Sequence, residues 1–291
     1  MGLLVAAAAG GLWIYVNPAC ERTPGIVYGS RNGRDLTLEM IRPERPNGLG
    51  AIFIVSGGWK SDPAAMHVWM VAPLLRSGYT VFAVSHISQP EVSVPDTVTD
   101  IHRSVRYIRH RAADFGIDPD RIGVMGASAG GHLSLMLATR GGPGPADASD
   151  PVDRESSAVQ AVGIFFPVTN LVDLGSSTEN LHDGGPPKSF RAAFGPDAVD
   201  REKWQVIARD LSPVFHVRPD QPPVLILHGD ADTLTPLEQS EWFRDASGRV
   251  GAPEVRLGVR PRKGHGWLAA SLDTRHFAAW FDRHLRQMAA E

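Results

Sequence analysis

A chain of 291 residues, 43% hydrophobic and 21% charged, has the size and balance of one large globular domain with a substantial core. Its net charge of −3 and the lack of any basic run leave no electrostatic footprint for nucleic acid. The single cysteine, Cys20, excludes an intrachain disulfide and argues against a thiolate metal site; the 11 histidines are scattered, with no H-E-x-x-H and no Cys/His cluster.

Residues 2–16 form an uncharged apolar run, shorter than the roughly 20 residues a membrane span needs. The run suits the apolar part of an export signal, without its basic start. Segment 1–20 is therefore read as a signal or anchor, with a helix packed on the domain as the alternative. That reading implies a secreted or periplasmic chain and N-terminal membrane association. Residues 21–291 form the folded domain.

Ile26–Tyr28 and Leu36–Ile41 flank Asn32-Gly33, a strong hairpin signal. A proline-rich connector follows at 42–48. The pattern then alternates. Strands are expected at Ala51–Val55, Tyr79–Val84, Ile122–Met125, Val159–Phe166, Val224–His228 and Val255–Val259. Helices are expected at Ala64–Arg76 and Asp100–Ala113, the second with Ile101, Val105, Ile108 and Ala112 on one stripe. A last helix closes the chain over Ser271–Met288. This order predicts an α/β fold: a mostly parallel central sheet, helices on both faces, and an N-terminal antiparallel hairpin. Two stretches depart from the alternation. Gly141–Ser157 is rich in Gly, Pro and Asp and reads as a surface loop. The stretch 169–211, punctuated by Phe190, Phe194 and Trp204, is too long for a simple connection and reads as a lid-like insertion or pocket wall.

The chemistry centres on Gly126-Ala127-Ser128-Ala129-Gly130, placed between a strand and the helix-forming run Leu133–Ala138. Alone, five such letters could be a glycine-rich turn with an incidental serine. Strand before and helix after make it a nucleophile elbow. A serine hydroxyl needs a base to become nucleophilic. The chain offers partners in the order acid, then base. His228-Gly229-Asp230-Ala231-Asp232 ends a buried strand, and Gly264-His265-Gly266 follows the last one. His265 is assigned as general base and acid. Asp232 is assigned as the group that orients it. Asp230 competes for that role but lies nearer the strand, where it is expected to bond the loop. His132 and His228 are read as structural. Oxyanion donors are assigned to Gly57 and Gly58, after an early strand, and to the Ala129 N–H.

These segments resemble the α/β-hydrolase superfamily, and more narrowly the acetyl esterase/lipase group with bifunctional feruloyl and acetyl xylan esterase-like enzymes. The resemblance covers roughly residues 26–288 and rests on Ile117–Leu133, Pro222–Asp232 and Gly264–Trp267. It implies the α/β-hydrolase fold and a carboxylesterase without cofactor or metal, acting through an acyl-enzyme. Its nucleophile, acid and base fall on Ser128, Asp232 and His265. The implied substrates are short acyl esters, including acetyl or feruloyl esters on polysaccharide. A serine peptidase, an acyltransferase or a non-catalytic ligand receptor are the alternatives on this fold. One departure stands out. Where the group commonly reads His-Gly-Gly-Gly-Trp, this chain reads Val55-Ser56-Gly57-Gly58-Trp59 and lacks the histidine that usually braces the loop.

Overall fold

The computed structural model describes residues 10–11 and 13–286. Residues 1–9 and 12 of the segment 1–20, assigned as signal or anchor, lie outside the described residues. Residues 13–16 are helical, and Arg76 donates to the carbonyls of Ile14 and Tyr15. No helix among the described residues is long and apolar enough to cross a membrane.

Eight strands form one sheet: β1 (Cys20–Arg31), β2 (Arg34–Pro43), β3 (Gly50–Ile54), β4 (Thr80–Val84), β5 (Ile122–Ala127), β6 (Ala161–Phe165), β7 (Val224–Gly229) and β8 (Val255–Arg260). Their order is β1-β2-β4-β3-β5-β6-β7-β8. β2 runs antiparallel to both neighbours, and every pairing from β4 to β8 is parallel. The fold is thus the α/β-hydrolase arrangement. The hairpin turns through Asn32 and Gly33, both at positive φ (54° and 73°), the geometry that matches strand twist.

Among the described residues, six longer helices pack around the sheet: α1 (Val68–Arg76), α2 (Val94–His110), α3 (Ala129–Arg140), α4 (Arg201–Asp210), α5 (Leu237–Arg249) and α6 (Ala270–Phe281). Alternate residues of each central strand feed two cores. Ile52, Ile54, Val124 and Ile226 pack with Ile101, Val105, Leu133 and Phe243 of α2, α3 and α5. Ala51, Met125, Leu225 and Leu227 pack with Val71 and Leu74 of α1 and Phe277 and Phe281 of α6.

The closing helix, expected over Ser271–Met288, is an α-helix only to Phe281 and continues as a π-helical turn over Asp282–Arg286, residues 287–288 lying outside the described residues. The starts of two other helices also differ from expectation. The helix expected from Asp100 begins at Val94. Ser93 caps it by accepting from the Asp96 N–H, and Pro95 sits in the first turn, where no N–H is needed. The helix expected from Ala64 begins at Val68, because Pro63–Ala65 closes a separate 3₁₀ turn capped by Asp62.

The sheet positions the site through its connections. The chain leaves β3 for β4 on one side, then returns across β3 to reach β5 on the other. This reversal opens a crevice beyond the carboxyl ends of β3 and β5, where ligands of open α/β sheets bind. Ser56–Trp59 follows β3 into it, and Ser128 follows β5.

Candidate active site

Ser128 sits at φ 53° and ψ −118°, between the last residue of β5 and the first of α3. A side chain rarely adopts this conformation, and it costs on the order of 1–3 kcal/mol. The surroundings hold it there. Ser128 N–H donates to the Phe165 carbonyl at 3.0 Å, and the Ser128 carbonyl accepts from His132 N–H at 2.9 Å. Gly126 is needed for the tightness of the turn: a Cβ on it would lie 2.4 Å from the backbone of Gly130.

His265 faces Ser128. Its Nε2 is 2.9 Å from Ser128 Oγ, and its Nδ1 is 2.8 Å from Asp232 Oδ2. Phe166 packs on the imidazole, ring centres 4.5 Å apart. The loop bearing His265 lies directly on the loop bearing Asp232. Ala231 N–H donates to the Lys263 carbonyl at 2.9 Å, and Gly229 leaves the space, since a Cβ there would meet that carbonyl at 2.1 Å.

Asp232 is buried, and every side of its carboxylate is used. Oδ1 accepts from Leu234 N–H and Thr235 N–H, each at 3.0 Å. Oδ2 faces His265 and, at 3.3 Å, His228 Nε2. Burial alone raises the carboxyl, but the hydrogen bonds from His228 and His265 outweigh it and hold the group well below the usual carboxylate range. Asp230 is exposed and accepts from the Arg262 N–H at 2.5 Å, away from His265. His228, read from the sequence as structural, is fully buried between Ser240 Oγ and the Thr235 carbonyl, each at 2.7 Å, and also lies against Asp232. His132 is likewise fully buried. Its Nδ1 accepts from Trp59 Nε1 at 3.2 Å, and its Nε2 donates to the Leu211 carbonyl at 2.7 Å. Burial pushes its pKa down to about 4.

The oxyanion assignment needs one correction. Gly57 and Lys60 exchange both backbone hydrogen bonds, at 2.9 and 3.0 Å, around a two-residue turn of Gly58 and Trp59, each at φ 55°. The Gly57 N–H is therefore spent on Lys60 and is not a free donor. The same turn frees the next one. The Gly57 carbonyl points at Lys60, and in a trans peptide the Gly58 N–H points the opposite way. Gly58 N–H and Ala129 N–H have no acceptor among the described residues, and both residues line the cavity at Ser128.

That cavity has a volume of about 370 Å³. Ser128 and His265 open onto it, and Phe166, Val168, Leu174, Pro187, Phe190 and Leu234 make its walls largely apolar. Leu174, Pro187 and Phe190 belong to the stretch 169–211, so that insertion forms part of the pocket wall. Its other aromatics are buried in an edge-on chain, with Trp59 to Phe194 at 5.2 Å and Phe194 to Trp204 at 4.9 Å. No cluster of three or more metal-ligating side chains occurs among the described residues.

Fold and site together define an α/β-hydrolase with a serine at the elbow. Within that class, the chain belongs to the BD-FAE family, whose model matches residues 43–246. Esterase LipQ of Mycobacterium tuberculosis is 27% identical over 268 residues, which is 88% of this chain and 60% of that protein. The chain spans between half and two thirds of the length of the first curated relatives it matches. Among solved structures, a butyrate-bound thermophilic esterase, Est2 of Thermogutta terrifontis, superposes with a TM-score of 0.68 at 27% identity, over 91% of this chain and 94% of that one. The acetyl ester-xyloside bifunctional hydrolase of Caldicellulosiruptor lactoaceticus gives 0.68 at 25% identity, over 94% and 97%.

Proposed function

We propose that this chain is a serine carboxylesterase that hydrolyses short acyl esters through an acyl-enzyme. Ser128 Oγ attacks the ester carbonyl while its proton passes to His265 Nε2. The oxyanion forms beside the N–H groups of Gly58 and Ala129, which need no reorientation to meet it. His265 then gives the proton to the departing alkoxide, and the acyl group stays on Ser128. Water enters, loses a proton to His265 and attacks the acyl ester; the C–O bond to Ser128 then breaks, His265 returns the proton to Ser128 Oγ, and the acid leaves. Asp232 keeps His265 in the tautomer with Nδ1–H and stabilises the imidazolium of each half-reaction.

The observation that carries this reading is the hydrogen-bonded run from Ser128 Oγ through His265 to Asp232, opening on an apolar cavity. A small apolar cavity suits acyl groups of a few carbons, and one structural relative holds butyrate. Acetyl groups on polysaccharide are the substrates we propose within that range, in line with a structural relative described as an acetyl ester-xyloside bifunctional hydrolase; feruloyl groups, with a larger ten-carbon acyl part, are proposed beside them on the family resemblance alone. Export or anchoring through residues 1–20 is proposed alongside, and cell fractionation tests it.

A panel of p-nitrophenyl esters from acetate to decanoate, beside acetylated and feruloylated xylan, tests the reading. Turnover is expected to be highest from acetate to butyrate and to fall with longer chains. Folded protein that hydrolyses no ester on the panel overturns it.

A further inference from the structure

The loop carrying Gly58 is tied to the segment after β4 by several bonds. Gln89 N–H donates to the Trp59 carbonyl at 3.0 Å, and Gln89 Nε2 to the Gly58 carbonyl at 3.3 Å. Ser61 N–H donates to Ser88 Oγ at 2.9 Å. One contact differs in kind, because it joins two side chains: Ser56 Oγ lies 2.9 Å from His86 Nε2. The proton positions follow from the other side of the ring. His86 Nδ1 is 2.9 Å from the Ile87 carbonyl, which can only accept, so Nδ1 carries the hydrogen. Nε2 is then an acceptor, and the Ser56 hydroxyl donates to it. Burial lowers the His86 pKa, which favours the neutral ring.

Ser56 stands between the two sources of oxyanion donors. It precedes Gly57-Gly58 in the chain, and its own carbonyl accepts from Gly130 N–H, in the first turn of α3 beside Ala129, at 3.3 Å. A fixed Ser56 therefore fixes the span from Gly58 N–H to Ala129 N–H. The sequence has Val55-Ser56 where the related motif has His-Gly, and the imidazole reaches the loop from the end of β4 instead.

We propose that Ser56 and His86 are a pair of positioning residues that hold the Gly58 donor at its working distance from Ala129. This rests on the esterase reading. The test is a double-mutant cycle with Ser56→Ala, His86→Leu and the double variant, reading kcat and KM for p-nitrophenyl acetate and the melting temperature. A misplaced donor costs less than a deleted one, so each single change is expected to lower kcat about tenfold. KM stays within about twofold, because the donor acts on the developing oxyanion. The double variant is expected to be no worse than the worse single, since both changes break one bond. His86→Gln, which can still accept from the Ser56 hydroxyl, is expected to recover most of kcat. A merely structural pair would lower the melting temperature and leave kcat alone. The proposal is overturned if Ser56→Ala keeps kcat within twofold of wild type, or if the two losses multiply. Wild-type protein without turnover would sink the esterase reading itself; active wild type matched by Ser56→Ala sinks only the pair.

Discussion

Replacing Asp232 by asparagine tests the hydrogen-bond logic of the site without changing its shape. Oδ1 of Asp232 accepts from two backbone N–H groups, of Leu234 and Thr235, so the amide oxygen of an asparagine must take that side. Its NH2 then faces His265 Nδ1, which becomes an acceptor. The imidazole is forced into the tautomer with Nε2–H, which cannot take the Ser128 proton. The amide could flip, at the expense of two backbone N–H groups left without acceptors. Each unmet donor costs about 1–3 kcal/mol, so the pair costs roughly 2–6 kcal/mol. The competent form is then populated at about one part in thirty down to one in 10⁴. The kcat for p-nitrophenyl acetate is expected to fall by that range, with KM and melting temperature little changed. Asp230→Asn, whose carboxylate accepts from the Arg262 N–H and makes no hydrogen bond to His265, is expected to stay within about twofold of wild type. Asp232→Asn with more than a tenth of wild-type kcat refutes the reasoning, as does an equal loss in Asp230→Asn.

Three further predictions follow from the same geometry. Phe190→Ala removes a ring that lines the cavity and packs on Trp59, and should raise kcat/KM for octanoate relative to acetate by about tenfold in the ester panel; an unchanged chain-length profile contradicts the wall assignment. Gly126→Ala sets a Cβ against the Gly130 backbone, and should cost at least about 100-fold in kcat or prevent folding, as followed by circular dichroism and turnover. Buried His132, with its pKa pushed down to about 4, is neutral in the fold and charges on unfolding below pH 6.5. The unfolded chain then binds the extra proton, so stability falls as pH drops from 6.5 to about 4, by roughly 3 kcal/mol from this residue, and levels off below. Urea unfolding at pH 7, 5.5 and 4.5 checks the slope; a flat profile excludes a buried neutral His132.

Much of this was legible because the signals are local. Asn32-Gly33 states its own turn, and strand, Gly-x-Ser-x-Gly and helix lie within one short stretch. Helix α5 was not anticipated, and its composition explains why. Its buried positions are Gln239, Ser240, Phe243, Ala246 and Ser247, so it shows no apolar stripe. Within the site, the loss of Gly57 as a donor was hidden by Trp59. A two-residue turn with positive φ at both positions normally advertises Asn or Gly, and an aromatic in the second place conceals it. The pairing of Ser56 with His86 left no trace either, because it joins side chains at the ends of two different strands. Likewise His228 could be read as a buried strand-end histidine, but nothing in its neighbours indicates that it leans on Asp232.

The most direct test of the central claim is to expose folded protein to a fluorophosphonate and locate the adduct by mass spectrometry of its peptides. One stoichiometric adduct is expected, on Ser128, formed slowly or not at all in His265→Ala. Protein that stays unlabelled while folded, or that carries the adduct on another residue, contradicts it.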